Sequence, residues 1–237
     1  MLAKPPTAIV FDTFGTVVDW RTSLVTELTN FGRQRRITAD WTALVDSWRA
    51  AYRPSMDRVR RGEIAWASLD DLHRVSLNRL VQEFAIHGLA ESDLHNITLA
   101  WHRLNAWPDA VPGLSRLKRK FIIAPLSNGN VSLLTNMAKH AGLPWDLIVG
   151  SDLFGHYKPD PETYLGVCRL LDLEPAQVMM AAAHNNDLAA ARHLGLMTAF
   201  FPRPTEYGPN QIRDLGPEAD WDIIARDIEH MAAQLAA

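Results

Sequence analysis

Asp12 stands directly after Ala8-Ile9-Val10-Phe11, a short continuous apolar run. Such a run reads as a strand buried on both faces, as in a parallel sheet. Ligands of open α/β sheets bind outside the carboxyl ends of the strands, and that is where this carboxylate lies. Gly15 allows a sharp turn beside it. Thr16 adds a hydroxyl able to hydrogen-bond Asp12 or whatever Asp12 attacks. An Asp that merely caps a helix after a strand has the same local appearance. Further polar residues follow apolar runs downstream: Ser127-Asn128-Gly129 after Phe121–Leu126, and His184 to Asp187 after Val178–Ala183. Lys158 lies in the loop HYKPDPETY before a helix. Pro159 biases it away from helical geometry, and Pro161 suits a first helical turn. Singly, each has a plain structural use as a turn, a solvated side chain or a charge favoured at a helix N-terminus. In a parallel sheet, however, strand ends converge on one crevice.

The elements that must position these residues come in two kinds. From Trp20 to Trp107 the apolar period is helical. Trp41, Leu44, Val45, Trp48 and Tyr52 make one face, with Pro54 expected to limit or bend that helix. Further helices are expected over Ile64–Ile86, with Gly88 as a stop, and over Ser92–Leu104. Five of the eight tryptophans lie between residues 41 and 107. A small helical core accounts for them, and some of the rings are placed to line a cleft facing Asp12. After Trp107, WPDAVPGL is a natural boundary. Strands then alternate with helices: strands at 121–126, 147–149, 178–183 and 197–201, helices at 131–141, 161–171 and from 184 through Leu194, and a closing helix over Trp221–Leu235. Strands separated by helices imply a parallel sheet with right-handed crossovers. The fold expected is α/β, a Rossmann-like parallel-sheet core formed by 1–19 and 108–237, with 20–107 inserted as an α-helical cap.

Composition narrows the function class. The chain has 237 residues, 47% hydrophobic and 22% charged, with net charge −3. That charge is unlike the basic balance of a general nucleic-acid binder. The lone cysteine, Cys168, sits in an apolar helical pattern and reads as a buried structural thiol. No signal-peptide pattern stands at the start, and no apolar run approaches the roughly 20 residues that span a bilayer. The expectation is a soluble cytoplasmic protein with no membrane or nucleic-acid partner. Exposed aromatics of the helical segment would offer a homodimer face.

Taken together, Asp12-Thr13-Phe14-Gly15-Thr16, Ser127-Asn128, Lys158-Pro159 and Asp187 resemble, in order and over essentially the whole chain, the four signatures of the haloacid dehalogenase superfamily. The resemblance implies that Asp12 is a nucleophile that forms a covalent ester. Most members are magnesium-dependent phosphatases with a second aspartate two residues on. Here that residue is Phe14, which transfers no proton. Those enzymes also carry an acidic magnesium ligand four residues before the position of Asp187. Here that residue is Ala183, which offers a hard cation no oxygen. Both departures fit the metal-independent 2-haloacid dehalogenase branch, whose motif continues through Val17 and Asp19 and whose tyrosine, six residues after the lysine, is matched by Tyr164. No metal or other cofactor is implied.

By that resemblance, Asp12 displaces halide from a 2-haloalkanoic acid, with inversion at a substituted carbon. Thr16, Arg49, Ser127 and Asn128 hold carboxylate or halide, Lys158 and Asp187 set the charge around Asp12, and Tyr164 supports them. Arg49 follows Trp48 as the branch requires, with Arg53 and Arg21 as alternatives. His184 replaces the usual asparagine and is expected either to help activate water or to donate to the halide. A crowded pocket would then favour haloacetates, including fluoroacetate. The competing functions are a related hydrolase of another small electrophile, a phosphatase, and a non-catalytic binding protein.

Overall fold

The computed structural model describes residues 4–237. Strand β1 (Ala8–Phe11) is wholly buried, as its unbroken apolar run requires. The chain then turns through Phe14–Thr16 into β2 (Val18–Asp19). Helices α1 (Trp20–Arg35), α2 (Trp41–Arg60), α3 (Leu69–Glu83) and α4 (Glu91–Thr98) follow, and β3 (Asn105–Ala106) returns antiparallel to β2. The remainder alternates: α5 (Ala110–Leu117), β4 (Ile122–Ser127), α6 (Val131–Ala141), β5 (Val149–Gly150), α7 (Pro161–Leu170), β6 (Val178–Ala182), α8 (Asn185–His193), β7 (Met197–Phe200), β8 (Ile223–Ile224) and α9 (Ile228–Gln234). The six-stranded sheet has the order β5-β4-β1-β6-β7-β8, and all of its pairings are parallel.

Sheet register creates the site. Phe11 pairs with Pro125 of β4 on one side and with Ala181 of β6 on the other. The three central strands therefore leave the sheet at one level, which brings Asp12, Ser127-Asn128 and Ala183-His184 to one edge. This is the α/β architecture the alternating pattern predicts.

The helical segment follows its caps and buried faces more closely than its apolar period alone. Trp20, Leu24 and Leu28 recur every four residues on the buried face of α1, and the Asp19 side chain accepts the Thr22 N–H at 3.0 Å. Helix α2 runs through Pro54 to Arg60 instead of stopping there. The residues it buries on both sides of the proline, from Trp41 to Met56, outweigh the missing backbone bond. Helix α3 starts at Leu69 and not Ile64, because Ser68 and Asp71 form a reciprocal capping box. The third predicted helix ends at Thr98 and tightens into a 3₁₀ turn over Leu99–Arg103.

The closing helix was expected from Trp221, but it starts at Ile228. Asp227 caps it by accepting the His230 N–H at 2.7 Å, while Ile223 and Ile224 extend the sheet beside β7. Of the five tryptophans between 41 and 107, Trp41, Trp48 and Trp101 are buried and only Trp66 is exposed. They make a core, and none of the five lines the Asp12 cleft. The exposed large hydrophobic side chains of this segment are Trp66 and Val75. Among the described residues, no helix is long and apolar enough to cross a membrane.

Candidate active site

Asp12 lies on the floor of a cleft of about 590 Å³ whose walls come from the sheet edge, from α2 and from the loop after β7. Its backbone N–H still donates to Ala181 O at 3.0 Å, so the nucleophile candidate is anchored to the sheet. The two carboxylate oxygens have different partners. Oδ1 accepts from Lys158 Nζ at 2.9 Å. Oδ2 accepts from Thr16 Oγ1 at 2.7 Å and from His184 Nδ1 at 3.1 Å. Burial alone would push this carboxyl up. The charges of Lys158 and His184 and their hydrogen bonds outweigh burial and hold it well below the usual carboxylate range.

On the Oδ1 side, Lys158 bridges Asp12 and Asp187, donating to Asp187 Oδ2 at 2.5 Å. Tyr164 donates to the other Asp187 oxygen at 2.5 Å. The Lys158 backbone N–H is fixed by Asn128 Oδ1 at 2.7 Å. Burial would lower the Lys158 pKa, but the two carboxylates raise it above its ordinary value. The Tyr164 hydroxyl is pushed up by burial and by Asp187, so it stays a donor.

On the Oδ2 side, His184 Nε2 meets Glu206 Oε2 at 2.8 Å. An imidazole between two carboxylates carries both protons and donates from both nitrogens. Burial opposes that charge, but Glu206 and Asp12 raise the histidine well above its ordinary pKa. Glu206 is 1% exposed. Its Oε1 accepts from Trp20 Nε1 at 2.9 Å and lies 3.7 Å from Arg49 Nη2. Burial pushes the Glu206 carboxyl up, and His184 and Arg49 bring it below its ordinary value. Gly15 makes room for it: its φ is +88°, and a Cβ there would lie 2.1 Å from Glu206 Oε1. Arg49 is half-buried, with its guanidinium 4.4 Å over the Tyr52 ring and 5.2 Å over Trp20. Its Nη1 is buried without a partner, although an unpaired buried donor costs about 1–3 kcal/mol.

Asp12, Lys158, Asp187, His184, Arg49, Asn128 and Tyr164 therefore meet at one cleft. Thr16 and Ser127 do not border it. The Thr16 hydroxyl is spent on Asp12 and on the Ala183 N–H at 3.0 Å. The Thr16 proton is given to Asp12, whereas Ser127 Oγ accepts the Gly129 N–H at 3.2 Å and keeps its own O–H as a donor. His184 is held from both sides. Both of its ring nitrogens face carboxylates, Nδ1 toward Asp12 and Nε2 toward Glu206, so a protonated ring would donate to both. Of the three candidate arginines, Arg21 is occupied by Asp46 at 2.7 Å and the Arg53 side chain is 72% exposed, whereas Arg49 is half-buried and lines the cleft.

Sequence reasoning missed Glu206 altogether. It sits in the loop FPRPTEYGPN, far from every motif, and no spacing points to it. A magnesium ion does not suit the donor set. Lys158 holds its ammonium between Asp12 and Asp187, and Phe14 and Ala183 supply no side-chain oxygen.

The family model for haloacid dehalogenase-like hydrolases matches residues 6–195. The chain is similar to (S)-2-haloacid dehalogenase 1 of Pseudomonas sp. (strain CBS-3), 31% identical over 220 residues, covering 86% of this chain and 88% of that one. It is also similar to two crystal structures. One is an L-2-haloacid dehalogenase, 54% identical with TM-score 0.95, over 98% of this chain and 99% of that one. The other is a defluorinating L-2-haloacid dehalogenase, 50% identical with TM-score 0.96, over 98% and 96%.

Proposed function

The chain belongs to the haloacid dehalogenase-like hydrolase family, and from that premise we infer that it hydrolyses the carbon–halogen bond of short 2-haloalkanoic acids. The products are 2-hydroxy acids. The observation that carries this reading is the Asp12 carboxylate, kept ionised at the cleft floor and sharing that cleft with Arg49, whose buried Nη1 has no partner.

Three anions (Asp12, Asp187, Glu206) and three cations (Lys158, His184, Arg49) balance before substrate enters. An incoming carboxylate finds the unpartnered Arg49 donor and the Asn128 side chain at the same cleft. Asp12 attacks the carbon bearing halogen from the side opposite the halide. The carbon–halogen pair leaves with the halide, and an ester forms at Asp12. Inversion follows at a substituted carbon. A halide leaves adequately as an anion, so Phe14 replacing a proton donor is no handicap. Water then attacks the Asp12 carbonyl carbon, its proton passing to Asp187, which Lys158 and Tyr164 hold in place. We assign the helical segment 20–107 the role of a cap that excludes bulk water from the core built of 1–19 and 108–237 during displacement. A cytoplasmic setting suits the single buried thiol, Cys168.

Fluoroacetate belongs among the substrates by this reading, supported by the half-identical defluorinating relative and by the close walls of Phe14, Tyr52, Met56 and Tyr207. Halide release over a panel of haloacetates and 2-halopropionates tests the assignment. Turnover without added Mg²⁺ is expected. Magnesium-dependent cleavage of p-nitrophenyl phosphate with no halide release would overturn it.

A further inference from the structure

The two Asp12 oxygens are not equivalent. Oδ1 has one donor, Lys158 Nζ. Oδ2 has two, Thr16 Oγ1 and His184 Nδ1, and both are themselves held. Thr16 is oriented by the Ala183 N–H, and His184 by Glu206, which is fixed in turn by Trp20. Two pre-oriented donors on one carboxyl oxygen form the geometry that stabilises a developing oxyanion. We propose that Oδ1 is the attacking oxygen, that Thr16 and His184 form the oxyanion hole for hydrolysis of the ester, and that Glu206 is the positioning residue that keeps His184 a donor.

The proposal rests on the aspartyl-ester reading and assigns its second step. In the ester, Oδ1 carries the substrate carbon and Oδ2 is the carbonyl oxygen. When water bonds to the carbonyl carbon, the C=O electron pair moves on to Oδ2, where the Thr16 hydroxyl and the imidazolium N–H receive it. Collapse restores the C=O bond and breaks the bond to Oδ1. Oδ1 leaves as the product hydroxyl with a proton from Lys158, and Asp187 returns its proton to Lys158. The regenerated carboxyl group releases the remaining water proton.

Three observations outside the motifs support the assignment. Glu206 is almost completely buried, so its position is built into the fold and is no surface accident. Gly15 leaves the space it occupies. The groups facing His184 are the carboxylates of Asp12 and Glu206, with Lys158 against the first and Arg49 near the second. The raised pKa of His184 agrees with a charged donor and not with a base.

The test separates the two chemical steps with chloroacetate under rapid quench. In Glu206→Gln, ester formation, read as the first-turnover chloride burst, is expected to stay within a few-fold of wild type. Ester hydrolysis is expected to slow roughly 10²–10³-fold, the usual effect of losing one oxyanion donor. Alkylated Asp12 peptide then accumulates and is read by mass spectrometry. The hydrolysis rate of the variant should also begin its high-pH decline at lower pH, because the histidine has lost its anionic partner. His184→Asn, which leaves Glu206 to Trp20 and Arg49, carries the same expectation of burst and accumulation. Equal slowing of both steps, no accumulated ester, or hydrolysis that rises with pH through the histidine titration would overturn the proposal. Absence of any Asp12 ester in wild type, with chloride release surviving in Asp12→Asn, would instead overturn the reading on which it rests.

Discussion

Two histidines, one buried and one half-buried, lie in regions governed by opposite physics. His184, at the cleft floor, sits between the carboxylates of Asp12 and Glu206 and is held charged. His73, in the helical segment, stacks 4.2 Å from Trp101 and edge-on to Trp48, and neither ring nitrogen has a partner. Burial pushes it down to about 3, so it is neutral and serves as an aromatic filler. His73 is 2% exposed and the His184 side chain 14%, a difference in burial too small to account for opposite shifts. Paired charge separates them. Where carboxylates surround an imidazole, attraction outweighs desolvation; where tryptophans surround it, desolvation wins. The site is therefore a balanced ionic cluster, and the helical core beside it is an aromatic stack. Lesions in the first should cost activity, and lesions in the second should cost stability.

The largest expected effect lies in the cluster. Lys158→Met removes the cation shared by Asp12 and Asp187 and leaves two buried carboxylates facing each other. Halide release should fall roughly 10²–10⁴-fold, the range for losing a group that acts on charge in the transition state. Steady-state kinetics with chloroacetate measure it, and a loss under tenfold would break the distinction between the regions. Next comes the stack. Trp101→Ala opens a cavity against Trp48, His73 and Phe14 and should cost about 3–5 kcal/mol in denaturant unfolding. Its halide release per folded molecule should change far less than that of Lys158→Met.

Much of this was legible beforehand, and the boundary of legibility has a physical cause. Asp12, Lys158 and Asp187 are readable because each sits at a strand end or beside a helix start whose local pattern survives in one dimension, and Tyr164 through the resemblance that places a tyrosine six residues after the lysine. The parallel sheet followed from alternating apolar runs. Glu206 was invisible because an irregular loop delivers it, and only the three-dimensional meeting of that loop with Trp20, Arg49 and His184 defines it. His184 is legible in the sequence, but not which of its two expected roles it plays, because its protonation depends on that unseen partner. Likewise, the start of α3 is set by the Ser68 cap and not by the apolar period that suggested Ile64.

The pH response sharpens the comparison, because the two histidines carry opposite signs. A neutral buried His73 contributes stability above its unfolded value near 6.5, and that contribution is lost as pH falls toward 3. Wild type should lose on the order of 3 kcal/mol from this source between pH 6.5 and 4, and His73→Leu should escape that part of the loss. A charged His184 contributes stability below about 6.5, and that is lost as pH rises through its folded pKa. His184→Asn should therefore narrow its gap from wild type as pH increases. Melting temperatures of the two variants and wild type across pH 4–9 measure both slopes; slopes of the same sign would refute the contrast. The smallest effect belongs to the boundary between the regions. Arg60 of α2 pairs with Asp160 in the Lys158 loop at 2.8 Å but remains part-exposed, so Arg60→Ala should cost at most about 1 kcal/mol. A larger loss in thermal unfolding would mean that this contact, and not the buried cluster, ties the helical segment to the core.

A single turnover in oxygen-18 water tests the aspartyl ester most directly. The isotope should enter the peptide containing Asp12 first, with the 2-hydroxy acid unlabelled until later turnovers. Label appearing in the product of the first turnover, with the Asp12 peptide unlabelled, would mean that water attacks the substrate carbon itself and that Asp12 is no nucleophile.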